Sequence, residues 1–226
     1  MELYHGSTKV IRKPEYGAGR KHNDYGLGFY CTEHIELAGE WACSSIEDGI
    51  INHYDLDDKN LNILRLNSED FSILNWMAVL VTNRLFRPSA PVATKARRYL
   101  EENFLVNVNA YDVVIGYRAD DRYYDFADAF LNNTITVEQL AGAMRLGKLG
   151  EQVVIKSEYA FDKLSFVDSL AADKEIYYPR RKARDEKADA GFTKICEGET
   201  DGLFMIDIMR GGIGNDDARI PRNIPE

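Results

Sequence analysis

The chemistry-bearing residues of this chain lie far apart and must be gathered by the fold. Near the start, Leu3-Tyr4-His5-Gly6-Ser7 places a histidine beside a bare glycine. A second block, Tyr25-Gly26-Leu27-Gly28-Phe29-Tyr30-Cys31-Thr32, ends in a tyrosine that runs into a helical pattern closing at Glu40-Trp41-Ala42. The histidine offers a ring nitrogen to a ligand hydroxyl. The glycine backbone lets a flat amide approach and pair with main-chain N–H and C=O. The tyrosine supplies a π face for an aromatic ring that carries positive charge. Three carboxylates, Asp112, Asp120 and Asp121, surround the apolar run Val113-Val114-Ile115-Gly116. They suit activation of an acceptor hydroxyl or amide, or less well a divalent ion. They equally suit a turn and a helix cap.

Short β-branched or aromatic runs alternating with amphipathic helices must position these groups. Glu2-Leu3-Tyr4-His5 and Phe29-Tyr30-Cys31-Thr32 read as strands, joined by a long loop over Thr8 to Leu27 of the kind that lines a ligand site. Thr32 is placed to cap a helix over Glu33–Ser44. Asn62-Ile63-Leu64-Arg65-Leu66 reads as a third strand. Helical spacing follows from Ser68 to about Arg84, then Pro88-Ser89-Ala90-Pro91 breaks the chain before a helix over Thr94–Phe104. Residues 68–104 thus read as a helical insertion, with Phe71, Trp76 and Tyr99 in the core. Beyond the strand at 112–116 come a helix opened by Asp120 and Asp121, a helix over Thr136–Leu146, the strand at 152–157 and a short strand at Ser165-Phe166-Val167. Residues 173–195 are helical and heavily charged, either a solvated face laced with i,i+4 pairs or a patch for an acidic target. Leu203–Ile208 reads as a strand or a helix. The expected organisation is one domain over 1–210 and a flexible C-terminal tail over 211–226.

With 226 residues the chain can bury a full core. Its net charge of −9 argues against a broad nucleic-acid surface. No apolar run is long enough to cross a bilayer, and the start lacks a leader pattern. The three cysteines, Cys31, Cys43 and Cys196, form no C-x-x-C pair. An odd count fits a reducing compartment, hence the cytoplasm. His5, His22, His34 and His53 show no ligand spacing, so no metal site is expected.

The first two blocks resemble the start of the ADP-ribosyltransferase fold of the diphtheria-toxin and poly(ADP-ribose) polymerase branch, whose first signature residues are His and Tyr. The chain also resembles a family of small bacterial ADP-ribosyltransferase-like proteins, long catalogued as a domain of unknown function and often encoded in toxin–antitoxin arrangements. That likeness runs through both blocks, Asn75-Trp76-Met77, Tyr111 to Asp121, Glu151 to Ser157 and Phe204-Met205-Ile206-Asp207-Ile208. It implies an α+β fold with small split antiparallel sheets flanked by helices, and NAD as co-substrate. It implies that His5 holds the adenosine-side ribose, Gly6 pairs with the carboxamide and Tyr30 stacks on the ring, with Ser7 and Gly28 beside them. The catalytic set would be Tyr30, Gln152, Glu151 and Asp120.

Members of this fold usually open the late strand with a glutamate bonded to the nicotinamide ribose. Here Gln152 takes that position. Glu151 faces the other way in a regular strand, unless a bulge at Gly150 turns it inward. The implied activity is mono-ADP-ribosylation of a protein or nucleic acid, in a toxin-like or phage-defence role restrained by a small antitoxin-like partner. The alternatives are an NAD glycohydrolase and a catalytically weak module that binds NAD or a partner.

Overall fold

The computed structural model describes residues 1–84, 91–119, 121–146, 151–198 and 201–223. Asp120 and Gly150, singled out above, lie outside the described residues. In chain order the strands are β1 (Glu2–Ser7), β2 (Phe29–Cys31), β3 (Gly49–Leu56), β4 (Ile63–Arg65), β5 (Val113–Tyr117), β6 (Glu151–Ile155) and β7 (Leu164–Ala172). The α-helices are α1 (Ile35–Ala42), α2 (Ile73–Asn83), α3 (Pro91–Asn103), α4 (Asp121–Leu131), α5 (Val137–Ala143), α6 (Glu158–Asp162), α7 (Lys174–Cys196) and α8 (Met205–Arg210). The class is α+β. None of the helices, among the described residues, is long and apolar enough to cross a membrane.

The strands form two small sheets, ordered β1-β3-β7 and β2-β6-β5-β4. They touch where edge strands β1 and β2 meet: Tyr4 N–H donates to Thr32 O at 2.8 Å, and Thr32 N–H returns to Tyr4 O at 2.9 Å. Pairing is antiparallel except between β4 and β5, which run parallel, against the all-antiparallel expectation. A parallel pair needs a crossover. The segment expected as an insertion supplies it: α2 and α3 connect β4 to β5, and α2 is buried from Ile73 to Val81. Asn75 fixes its first turn, accepting from Ser72 N–H at 2.8 Å and donating to Phe104 O at 2.9 Å. Trp76 is fully buried in the larger core, with Phe71 and Tyr99 packed against it.

Alternation along the second sheet separates two apolar clusters. Val114 and Val154 face the helical core with Tyr30, while Cys31, Val113, Ile115, Val153 and Ile155 face a smaller cluster with Leu3 and Tyr54. Gln152 shares the parity of Val154, and Glu151 that of Val153.

Several elements differ from the sequence expectation. The whole of β3 was unanticipated, because Asn52, His53 and Asp55 interrupt its apolar residues. Asn52 is nonetheless buried and satisfied: its Nδ2 donates to Ser7 Oγ at 3.0 Å, and its Oδ1 accepts from Ile11 N–H at 2.7 Å. In the stretch expected as a strand or a helix, α8 starts at Met205, and Phe204 before it makes only an isolated bridge to Thr136.

The charged segment is the helix α7, carrying the i,i+4 pairs Arg181–Asp185 and Lys182–Glu186. Arg180 and Arg184 turn onto α1 and pair with Glu36 and Glu40, which removes part of the patch proposed for an acidic target.

The tail from Gly211 is docked rather than loose as far as Asn223. Ile213 and Ile220 are buried in the larger core. Asn223 donates from its N–H to Phe71 O at 2.9 Å and from Nδ2 to Leu66 O at 2.8 Å.

Candidate functional site

The β1–β2 junction brings His5 onto the backbone of Tyr30: His5 Nδ1 lies 2.7 Å from Tyr30 O. A carbonyl only accepts, so Nδ1 carries the proton. Burial pushes the His5 pKa down, against the smaller upward pull of that bond, and the ring is neutral. Its Nε2 is then a lone-pair acceptor on a residue that lines the cleft. Phe29 backs the imidazole at a ring separation of 4.4 Å.

Tyr30 is held at both ends. Its hydroxyl donates to Gly26 O at 2.6 Å and accepts from Tyr25 N–H at 3.1 Å. Gly26 has φ of 74°, and a Cβ there would also press on the Asn83 side chain, so the position favours glycine. Tyr25 is buried and donates to Tyr117 O at 2.7 Å. Lys156 Nζ ties down the Tyr25 carbonyl at 2.6 Å, and burial lowers that ammonium to about 8. The end of the long loop is thereby locked to β5 and β6.

His5, Gly6, Tyr30 and Gln152, predicted from three separate strands, line one cleft of about 200 Å³. Asp24, Arg84, Trp41 and Arg118 complete it. Asp24 is only 4% exposed, and three donors surround it. Its Oδ2 accepts from Gln152 Nε2 at 2.7 Å and from Ala119 N–H at 2.8 Å, while Arg84 Nε stands 2.7 Å from Oδ1. Burial raises the Asp24 pKa, opposed by Arg84, the Ala119 N–H and Gln152. Both hydrogen bonds fall on Oδ2, while Oδ1 meets Arg84 as an ion pair without a hydrogen bond, so the guanidinium and the two N–H donors favour the charged form against burial. Arg118 lies 4.2 Å above the Trp41 ring.

The cleft opens into a larger cavity of about 940 Å³ under the long loop. Lys9, Arg12, Lys13, Arg20 and Arg118 line it, with Glu15 as the acid among them. Gly28 and Phe29 form part of its wall. In a chain of net charge −9 such a cavity selects an anion. Together the two spaces offer an aromatic wall, a ring-nitrogen acceptor and a carboxamide at one end and cations towards the other.

Other predicted residues fall elsewhere. Ser7 Oγ donates to Lys9 O at 2.6 Å and accepts from Asn52, so it anchors the loop. Gly6 lines the cleft, yet its bareness is also required behind, where a Cβ would collide with Ala38 O on α1. Glu151 is on the opposite face of β6 from Gln152. Asp112 sits at the far end of β5, accepting from Asn62 N–H at 2.8 Å and from Ser157 Oγ at 2.5 Å. It is a turn residue there, since the pairing places Val113 opposite Ile155 and Gly116 opposite Gln152. No group of three or more His, Cys, Asp or Glu able to hold a metal occurs among the described residues.

Asp24, Arg84, Trp41 and Arg118 went unassigned in the sequence. An acid inside Asn23-Asp24-Tyr25-Gly26 carries the signature of a turn, and Trp41 that of an apolar helix face.

Residues 1–166 match a family described as "Protein of unknown function (DUF3990)". No curated protein and no solved structure matches the chain.

Proposed function

The chain belongs to the DUF3990 family, and we propose from its site chemistry that it is an NAD-dependent mono-ADP-ribosyltransferase acting on a macromolecular acceptor. The observation that carries this reading is the meeting of His5, Tyr30 and Gln152 in one cleft beside a cation-lined cavity. His5 Nε2 accepts from a ribose hydroxyl. The Gly6 main chain pairs with the carboxamide, and the Tyr30 ring covers the nicotinamide. Lys9, Arg12, Lys13 and Arg20 receive the pyrophosphate.

In the reaction the bond between nicotinamide nitrogen and ribose carbon breaks, and the nitrogen keeps both electrons. Nicotinamide leaves neutral, so no general acid is required. The sugar left behind resembles an oxocarbenium ion. It gains from acceptor atoms and negative charge held in place before bond breaking. Gln152 supplies the acceptor, and Asp24 stands 2.7 Å behind its amide. A nucleophile on the acceptor then bonds to the sugar and loses its proton.

The test is incubation with NAD labelled in the adenylate half and a cell lysate, followed by separation of protein, nucleic acid and free ADP-ribose. The reading expects label on a macromolecule and equimolar nicotinamide. Label recovered entirely as ADP-ribose would convert the assignment to a glycohydrolase. Intact NAD throughout would overturn it.

A further inference from the structure

Resting on the NAD reading, we infer that Asp24 is a positioning residue that sets which way round the Gln152 carboxamide stands, so that Oε1 rather than Nε2 meets the ribose. A glutamine amide is nearly symmetric in shape, and its two ends do opposite things: one accepts, the other donates. Free in a cleft, Gln152 would present either end. A flipped amide would aim N–H groups at a developing cation, which destabilises the transition state.

Asp24 removes the choice. Its Oδ2 accepts from the Ala119 N–H at 2.8 Å and from Gln152 Nε2 at 2.7 Å, with the Arg84 cation at Oδ1, so the donor end of the amide faces the acid. The carboxylate is itself fixed by the Ala119 N–H and by Arg84, and it cannot turn away. Glutamine at 152 is then the partner Asp24 demands. A glutamate there would set two carboxylates against each other, and one would have to take up a proton. The pair divides between two residues what one glutamate does elsewhere: Asp24 carries the charge, and Gln152 reaches the sugar.

The division can be tested by reversing it. Asp24→Asn and Gln152→Glu are made singly and together, and nicotinamide release is measured with kcat and KM separated. Each single variant should lose about tenfold or more in kcat with a smaller change in KM, the signature of an interaction realised in the transition state. The double variant moves the charge to position 152 with an amide facing it, and should recover most of that loss. Recovery is incomplete, because an amide at 24 must oppose either the Ala119 N–H or Arg84.

A purely packing role gives no such rescue, and a double variant no better than the singles overturns the proposal. A second readout is independent of turnover. The Gln152 side-chain amide, observed by proton–nitrogen NMR in the wild type, should show one proton protected from solvent exchange. That protection should disappear in Asp24→Asn. A Gln152 amide exchanging freely in the wild type rejects the role of Asp24 whether or not the variants fold. Absence of nicotinamide release from a wild type with a protected amide rejects the NAD reading and keeps the pairing.

Discussion

The neutral state of His5 has a measurable consequence. Its pKa is pushed below the usual histidine value by burial, with the Tyr30 carbonyl offsetting part of the shift. Protonation would cost the Nε2 acceptor, so NAD affinity should stay level as pH falls from 8 through about 6.5 and weaken only below that. Calorimetric titration across the range checks this; a midpoint above 6.5 would contradict it. The same shift makes His5 a source of acid lability. The unfolded chain binds its proton at higher pH than the folded one, so this group's contribution to stability is present above the unfolded pKa. It is lost as pH falls from there through the folded value.

Tyr30 gives a second prediction. Its hydroxyl holds Gly26 O and Tyr25 N–H, so Tyr30→Phe should lower unfolding free energy by about 1–3 kcal/mol while keeping the ring. Tyr30→Ala should lose a further ~1–3 kcal/mol of NAD binding through stacking. Denaturant unfolding and calorimetry separate the two effects. His5, Tyr30 and Gln152 were singled out through the family resemblance, since a His-Gly and a distant strand Tyr are by themselves a weak signal. Asp24 was not, because only tertiary structure distinguishes a buried loop aspartate from a turn aspartate.

Elements that bury one continuous face announced themselves, and those that bury polar atoms did not. The helix α2 was readable because Leu74, Met77, Ala78 and Val81, all buried, recur at helical spacing. The opposite held for β3, whose Asn52 looks like a loop residue until its partners on β1 and the following loop are seen. The tail departs from its composition for a related reason. Its Gly, Asn, Asp and Pro content conceals two isoleucines, Ile213 and Ile220, and Asn223, which is hydrogen-bonded to Leu66 and Phe71. Ile220→Ala should therefore destabilise the fold by about 2–5 kcal/mol, as for any aliphatic core truncation. A loose tail would show less than ~0.5 kcal/mol. Chemical denaturation of the full-length variant decides between them.

At the scale of the whole molecule, charge is distributed against its own total. The chain carries −9, yet Lys9, Arg12, Lys13, Arg20 and Arg118 converge on one cavity. An anionic ligand is repelled by the molecule at long range and attracted at the cavity mouth, so the local cations must dominate once it arrives. Four of them, Lys9, Arg12, Lys13 and Arg20, sit on a mostly exposed loop, where salt screens them: the Debye length falls from about 10 Å at 0.1 M to about 3 Å at 1 M. On the proposed NAD reading, NAD should bind several-fold more weakly at 0.5 M than at 0.05 M salt, while nicotinamide alone, being neutral, should not respond. Replacing Arg12 and Lys13 together with glutamine should weaken NAD binding about three- to tenfold at low salt. That corresponds to ~0.7–1.4 kcal/mol, a normal return for two exposed charges. The same replacement should flatten the salt dependence and leave nicotinamide affinity unchanged. If the variant and wild type keep parallel salt curves, the loop cations do not meet the ligand. Its phosphates would then have to be held by Arg118 and backbone N–H groups deeper in the cleft.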